Sequence, residues 1–384
     1  MKIAYISSAF LADCDIPLLR ELTKLGHEVS YYLQMSDSSR CATIINVGSL
    51  QSRGGLYSAE CYPELTHLSA YLPLDHIRVI NMPSAHDWSP SSLKAVWDAW
   101  RHIHRGGFDV VHLTSPLRYG AFLLYQLRRR IVLTMHDPLP HSSDMGWMNR
   151  FHRWVAFRLV DHFIVLSQSL REEFIKMYHL EKKHVHMSRL GIYDVLQESE
   201  PTDMQLPERF LLFVGSINPH KGIRYLCEAM EEVHRSHPDV HLVIAGRGRF
   251  DFDIDHYVQS LPLTLINRFV TDGELITLIR RSQFVVCPYV DATQSGVIMS
   301  TFAFNKPVLA TQVGALGEMM EDGRHGLLVP PRDSHALTKG IMTMLTTEVL
   351  QDMEQNIAND FSSGQRSWSA IAKEHISIYQ QTAK

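Results

Sequence analysis

The chain has 384 residues, enough for two or three domains, and its 45% hydrophobic and 20% charged residues exclude disorder, collagen-like repeats and low complexity. Thirty-seven Lys and Arg against 41 Asp and Glu give a net charge of −4, which argues against a nucleic-acid-binding protein. The charge is uneven, because residues 1–190 contain 21 basic and 17 acidic residues and the remainder contains 16 and 24. We therefore expect the two halves to meet different partners.

Five cysteines without a C-x-x-C pair predict neither a disulfide framework nor a zinc site, and they fit a reducing cytosol. No run of about 18 uncharged apolar residues is present, so no membrane-spanning segment is expected. The opening run Ile3–Ser7 is short and leads into a helix, which favours a buried strand over a signal peptide. These features predict a cytoplasmic protein.

Short apolar strands alternate with helices along residues 1–190. The pattern predicts strands at Ile3–Ser7, Glu28–Leu33, Asp109–Leu113, Ile131–Thr134 and Phe163–Leu166, and helices at Ile16–Leu25, Tyr119–Arg129 and Ser169–Tyr178. Such alternation is typical of a parallel sheet covered by helices on both faces.

A polar segment, residues 191–208, contains two prolines and predicts a linker. The alternation then restarts, with strands at Phe210–Val214, Val240–Ala245, Asn267–Val270, Phe284–Cys287 and Pro307–Ala310, and helices at Ile223–Ser236, Asp272–Arg281 and Gly296–Phe304. The predicted fold is α/β, with two doubly wound Rossmann-like domains at 1–190 and 209–365 facing a central cleft.

The first candidate site is the strand-to-helix junction that follows Phe210–Val214. The strand ends at Gly215, a short loop contains Lys221, and a helix begins at Ile223. Helix N-terminal amides and a lysine that converge on one point form an anion site suited to a diphosphate. A surface lysine beside a helix-entry glycine explains the same spacing equally well.

The second candidate site is the polar turn from Asp291 to Gly296, which precedes another helix. Backbone amides and small hydroxyls there suit phosphate and sugar hydroxyls without a metal. Helix capping by Thr293 or Ser295 explains the same residues and is compatible with binding. In the first half, His136 and Asp137 follow the strand Ile131–Thr134, at the carboxyl end where ligand-facing residues occur.

The order of these motifs resembles that of the retaining glycosyltransferases of family 4, which have the GT-B fold. The resemblance runs from the Lys221-Gly222 loop through Ile244-Ala245-Gly246 and a strand at Arg268-Phe269 to Gly326–Asp333. The first half matches more loosely, through Thr134–Pro138 and His141. Residues 366–384, with Trp368 and Tyr379, resemble the family's last helix, which packs back on the first domain.

The resemblance implies transfer of a sugar from a nucleoside-diphosphate donor to an acceptor hydroxyl, with retained anomeric configuration and no cofactor or metal. The first domain would bind the acceptor and the second the donor. Lys221 matches the family's phosphate-binding lysine, but Ser216 stands in place of its arginine, and Ala292 and Ser300 replace two glutamates. Asp291 adjoins the first of those glutamate positions. The first loop, Ser7–Asp13, also lacks the family's usual glycine pair.

We therefore predict catalytic roles for His136, Asp137, Lys221 and Asp291. The predicted donor-binding residues are Gly215, Ser216, Lys221, Arg247, Arg268, Phe269, Thr293, Gln294, Ser295, Gly296, Val297 and Ser300. No metal ligands are predicted, because the histidine pairs lack the spacing of known metal motifs.

The expected partners are a nucleotide-sugar and a saccharide or lipid-linked saccharide of a cell-surface polysaccharide, with no nucleic acid. The segment Gly146–Phe163 mixes aromatic residues with arginines, which is compatible with contact to an anionic inner membrane face or with ordinary helix packing. Two alternatives to a transferase are a non-catalytic sugar-nucleotide-binding scaffold and a sugar-nucleotide epimerase of similar fold.

Overall fold

The computed structural model describes residues 1–42, 44–84, 89–115, 127, 130–138 and 147–382. The chain divides into two compact units, Met1–Arg189 with Trp368–Lys384 and Leu190–Ser367. The chain thus leaves the first unit close to residue 190 and contributes its last helix to that same unit.

The described residues of the first unit form eight strands. They are β1 (Lys2–Ser8), β2 (Glu28–Ser36), β3 (Gly55–Ser58), β4 (Ile77–Met82), β5 (Val110–Leu113), β6 (Ile131–Met135), β7 (His162–Val165) and β8 (His184–Met187). They form one sheet in the order β3-β4-β2-β1-β5-β6-β7-β8, in which only β3 runs antiparallel to its neighbour. The central strands are buried on both faces, and burial of their Val, Ile and Leu side chains stabilises the folded sheet.

The second unit contains six strands. They are β9 (Phe210–Val214), β10 (His241–Ala245), β11 (Leu263–Ile266), β12 (Val285–Cys287), β13 (Val308–Thr311) and β14 (Gly326–Val329). All are parallel, in the order β11-β10-β9-β12-β13-β14. The order reverses direction between β9 and β12, which is the topological switch point where ligands bind in open α/β sheets.

The described helices cover both sheets. They are α1 (Ala12–Lys24), α2 (Pro90–Gly106), α3 (Trp147–Leu159), α4 (Gln168–Tyr178), α5 (Ile223–Ser236), α6 (Ile254–Ser260), α7 (Asp272–Arg281), α8 (Gly296–Phe302), α9 (Leu316–Met319), α10 (Ser334–Met344), α11 (Thr347–Ser362) and α12 (Trp368–Thr382). In the first unit, α2 and α3 bury Ile103 and Phe157 in one apolar cluster with the sheet. Helix α12 packs against α1.

The predicted α/β class is confirmed, but two local predictions are wrong. Residues 267–270 are not a strand, because the strand uses the preceding apolar run, Leu263–Ile266, and leaves Phe269 66% exposed. The expected linker is packed on the second unit, where Val195 and Leu196 are buried and the Thr202 amide donates to the Gly273 carbonyl at 3.1 Å. The helix predicted at Tyr119–Arg129 lies outside the described residues, apart from Leu127.

Candidate functional site

The loops after β9, β12 and β13 meet at the carboxyl edge of the second sheet. The amide of Val290 donates to the carbonyl of His220 at 2.9 Å, which joins the first two loops directly. Gly222 has φ +66°, and a Cβ there would lie 1.9 Å from the Pro288 carbonyl oxygen. Only glycine permits both this backbone conformation and this close approach. The two strand-to-helix junctions that the sequence singled out therefore lie side by side.

Lys221 is the cationic residue at this junction. Its Nζ lies 3.8 Å from the centre of the Tyr289 ring. Burial lowers the pKa of the ammonium from its usual value, and Cys287 partly opposes that change. Within the described part of the chain, Lys221 Nζ has neither a carboxylate partner nor a hydrogen-bond acceptor. A partly buried ammonium without a counter-ion is suited to an anionic ligand, because the ligand would offset the cost of desolvation.

Tyr289 is fixed beneath that ammonium by its neighbours. The side chain is 1% exposed, and its hydroxyl lies 3.3 Å from Ser295 Oγ, at the start of α8. Its backbone carbonyl accepts a hydrogen bond from Thr311 Oγ1 at 2.5 Å. Tyr289 thus connects Lys221 with the second candidate turn. No local sequence pattern marks this tyrosine as part of the site.

The N-terminus of α5 adds backbone donors beside Lys221. Gly222 occupies the N-cap position, and no side chain caps the helix there. The amides of Ile223 and Arg224 begin the helix, so they have no intrahelical acceptor. Such amides, together with the positive end of the helix dipole, stabilise a phosphate.

Backbone groups of the turn Thr293–Val297 are occupied by contacts within the second unit. The Ser295 amide donates to Met319 Sδ at 3.4 Å, and the Ser295 side chain does not cap α8. The Thr293 carbonyl accepts from the Ala315 amide at 3.0 Å. Ser300 is 7% exposed, so it lies inside the packed helix. Val297 lies near Gly215, since a Cβ on that glycine would be 3.7 Å from Val297 Cγ2.

The other predicted donor residues differ in their surroundings. Arg247 and Asp291 are exposed, and Ser216, also exposed, accepts a hydrogen bond from Asn218 Nδ2 at 3.1 Å. Arg268 donates to both carboxylate oxygens of Glu274, at 2.8 and 2.6 Å. This hydrogen bonding lowers the pKa of Glu274 to about 2. The Arg268 guanidinium is therefore held by an acidic partner of its own unit.

His136 and Asp137 directly follow β6 in the first unit. Burial lowers the pKa of His136 to about 4, so the imidazole is neutral near pH 7. Asp137 is exposed, and its backbone carbonyl accepts from Arg153 at 3.1 Å. His141 lies outside the described residues.

A buried histidine lies near His136 in the core of the first unit. His112 hydrogen-bonds Tyr379 of α12 through Nδ1 at 2.5 Å and Thr134 of β6 through Nε2 at 2.8 Å. The pair His112–Tyr379 spans 267 positions of sequence, so local patterns gave no signal of it.

Two family models match the chain. The model described as Glycosyltransferase Family 4 matches residues 17–193, and the model described as Glycosyl transferases group 1 matches residues 208–347. Together they span most of both units. The chain is a family 4 glycosyltransferase.

One sequence relative of this glycosyltransferase covers nearly its whole length, and another covers about three quarters of it. An uncharacterised glycosyltransferase of Methanocaldococcus jannaschii is 28% identical over 94% of this chain and 92% of its own. A phosphatidyl-myo-inositol mannosyltransferase of Mycobacterium leprae is 28% identical over 74% of this chain and 76% of its own. The Anabaena protein HepE, solved in complex with UDP-glucose, superposes with a TM-score of 0.62 at 19% identity, over 100% of this chain and 98% of its own. The predicted family and GT-B fold are confirmed.

Two features are absent from the described residues of this glycosyltransferase. No described helix is both long and apolar enough to cross a membrane. No three His, Cys, Asp or Glu side chains among the described residues are grouped so as to hold a metal ion.

Proposed function

We propose that the second unit binds the diphosphate of a nucleotide-sugar through Lys221 and the N-terminal amides of α5. The observation that carries this proposal is the Lys221 ammonium, which is partly buried and lacks a counter-ion among the described residues. Each charge-assisted hydrogen bond to a phosphate oxygen contributes about 1.5–3 kcal/mol.

The proposed reaction is sugar transfer with retained configuration. The bond between the anomeric carbon and the phosphate oxygen breaks, and the diphosphate leaves with the electron pair. The acceptor oxygen forms its bond on the same face of the sugar, and its proton passes to the departing phosphate oxygen. Lys221 and the α5 amides stabilise the charge on that leaving group, and loss of one such preorganised donor commonly costs about 10²–10³ in rate.

We favour this front-face route over a double displacement because we identify no nucleophile among the described residues of the junction, where the two glutamates of the family motif are also absent. Ala292 and Ser300 occupy their positions, and the adjacent Asp291 is exposed. Fixed cationic and amide groups supply the leaving-group stabilisation without a metal ion. We further propose that neutral His136, with Asp137, hydrogen-bonds a sugar hydroxyl on the first unit.

The proposed acceptor is a saccharide or lipid-linked saccharide of a cell-surface polymer. The mycobacterial relative named for mannosyl transfer to phosphatidyl-myo-inositol supports a glycolipid acceptor, and HepE, solved with UDP-glucose, supports a nucleotide-sugar donor.

We also propose that α3 contacts an anionic membrane. Phe151 and Trp154 are 53% and 54% exposed, and their rings stack with centres 6.2 Å apart. The Arg158 guanidinium lies 5.0 Å from the centre of the Trp154 ring, and Arg150 is exposed nearby in sequence. Helix α3 contains no acidic residue. Exposed aromatic rings beside arginines are suited to a negatively charged lipid interface.

A panel of UDP-, GDP-, ADP- and dTDP-sugars tests the enzyme assignment. We expect one nucleotide class to raise the unfolding temperature equally with and without EDTA. Without an acceptor, the bound donor should be hydrolysed slowly to free sugar and nucleotide. NMR should show that the free sugar first formed has the same anomeric configuration as the donor. Binding without release would instead support the non-catalytic scaffold. EDTA-sensitive binding would contradict metal independence, and an inverted product would contradict retention.

A further inference from the structure

Tyr289 is held in place by specific contacts as well as by burial. The strand β12 ends two residues before it, and three separate contacts hold it: the Thr311 hydroxyl on its carbonyl, Ser295 beside its own hydroxyl, and the hydrogen bond of the next amide, Val290, to His220. The backbone is fixed by two of these contacts, and the ring is restricted by its burial and by the contact of its hydroxyl with Ser295. Its face is turned towards Lys221 Nζ, which is 3.8 Å from the ring centre.

Lys221 needs such a support. A lysine side chain has a flexible four-carbon stem, so ordering it costs rotamer entropy. Within the described chain no carboxylate holds the ammonium in place, so the tyrosine face is the contact that fixes it. A cation over an aromatic face gains electrostatic attraction, and the contact leaves the N–H groups on its other side available to an anion.

We propose that the ring of Tyr289 is a positioning residue for donor binding: it holds the Lys221 ammonium towards the diphosphate. The ring face carries this role, whereas the hydroxyl serves the contact with Ser295. The inference rests on the proposed function, since it assumes that Lys221 binds the donor phosphates. It assigns the tyrosine no contact with the reacting atoms.

A double-mutant cycle tests the proposal by calorimetry. The ligands are UDP, GDP, ADP and dTDP, and the nucleoside matching each nucleotide that binds. We expect Tyr289→Leu to weaken diphosphate binding by about 5- to 30-fold, the range of a cation–π contact of about 1–2 kcal/mol. Tyr289→Phe keeps the ring and should retain affinity. In a Lys221→Met background, Tyr289→Leu should cause no further loss.

Two controls separate positioning from damage to the fold. Phe284→Leu also removes a fully buried ring, next to β12, and should leave diphosphate affinity unchanged. Nucleoside affinity should be unaffected by Tyr289→Leu, because the ammonium acts on the phosphates alone. A general collapse of the site would weaken the nucleoside and the diphosphate together.

The possible failures are distinguishable. If none of the four diphosphates binds, or if Lys221→Met leaves their affinity unchanged, the proposed function itself is wrong. If Lys221→Met weakens binding but Tyr289→Leu does not, only the role of Tyr289 is overturned. Equal losses from Tyr289→Leu with and without Lys221, or a loss in Tyr289→Phe equal to that in Tyr289→Leu, would also overturn it.

Discussion

The amide of Val290 donates to the carbonyl of His220 across 2.9 Å, and this single bond joins the loop after β12 to the loop after β9. The lysine and the polar turn that are far apart in sequence belong, through this contact, to one edge of one sheet. At the same junction Gly222 lies so close to the Pro288 carbonyl that a Cβ would be 1.9 Å from its oxygen. A substitution of Gly222 therefore tests whether the packing of these two loops is needed for activity.

Gly222→Ala should disrupt the junction. An alanine at φ +66° costs about 1–2 kcal/mol in backbone strain, and its Cβ would also meet the Pro288 oxygen. We expect a lower unfolding temperature and a loss of transfer rate of about 10²-fold from misplacement of Lys221. The matched control is Gly323→Ala, which has φ +75° and open space around its Cβ. An equal loss of activity in both variants would contradict the role given to the junction.

Asp15 should make the stability of the first unit depend on pH. Its carboxylate is buried on α1 and accepts hydrogen bonds from Tyr5 at 2.8 Å and Tyr31 at 3.3 Å. Asp13, Cys14, Ser7 and Tyr379 also lie near it. Burial raises its pKa to about 7, so the folded state binds more protons than the unfolded state between about pH 4 and 7. Its contribution to stability therefore falls as pH rises through that window.

Asp15→Asn should remove this dependence. The stability of the variant relative to the wild type should increase between pH 5 and pH 8, as measured by denaturant unfolding at each pH. A difference that stays constant over this range would show that Asp15 keeps an ordinary pKa.

The contribution of Glu274 to stability should rise with pH, which is the opposite of Asp15, and it should change at lower pH. The Arg268 hydrogen bonds depress its pKa to about 2, and Glu274 also completes the capping box of α7 with Thr271. Its stabilising contribution is fully present above about pH 4.5 and is lost as pH falls towards 2. Glu274→Gln should be less stable than the wild type at pH 7, and the gap should narrow during acid unfolding. A gap that widens in acid would be incompatible with a depressed pKa.

The exposed aromatic rings of α3, which lie beside arginines, lead us to expect binding to anionic vesicles. Phe151→Ser with Trp154→Ser should reduce co-sedimentation with phosphatidylglycerol vesicles several-fold and leave sedimentation with phosphatidylcholine vesicles low and unchanged. Met177→Ser on α4, which also replaces an exposed apolar side chain of the first unit, is the control. Wild-type protein that ignores both vesicle types would rule out this surface as a membrane contact.

The sequence predicts the fold and locates part of the candidate site because both depend on local patterns. Short apolar runs and helix-entry residues located β9, α5 and α7 to the residue. The apolar residues Phe269 and Val270 lead to the wrong prediction of a strand at 267–270. The bond between Arg268 and Glu274, which holds this segment outside the sheet, has no local sequence signal. Tyr289 could not be found, because its contact with Lys221 depends on how two loops from separate strands meet.

The most direct measurement is a crystal structure with the nucleoside diphosphate that the panel identifies. We expect phosphate oxygens within about 3 Å of Lys221 Nζ and of the first amides of α5, with the ammonium still on the Tyr289 ring. A diphosphate bound elsewhere, with Lys221 making no contact to it, would show that this junction is not the donor phosphate site.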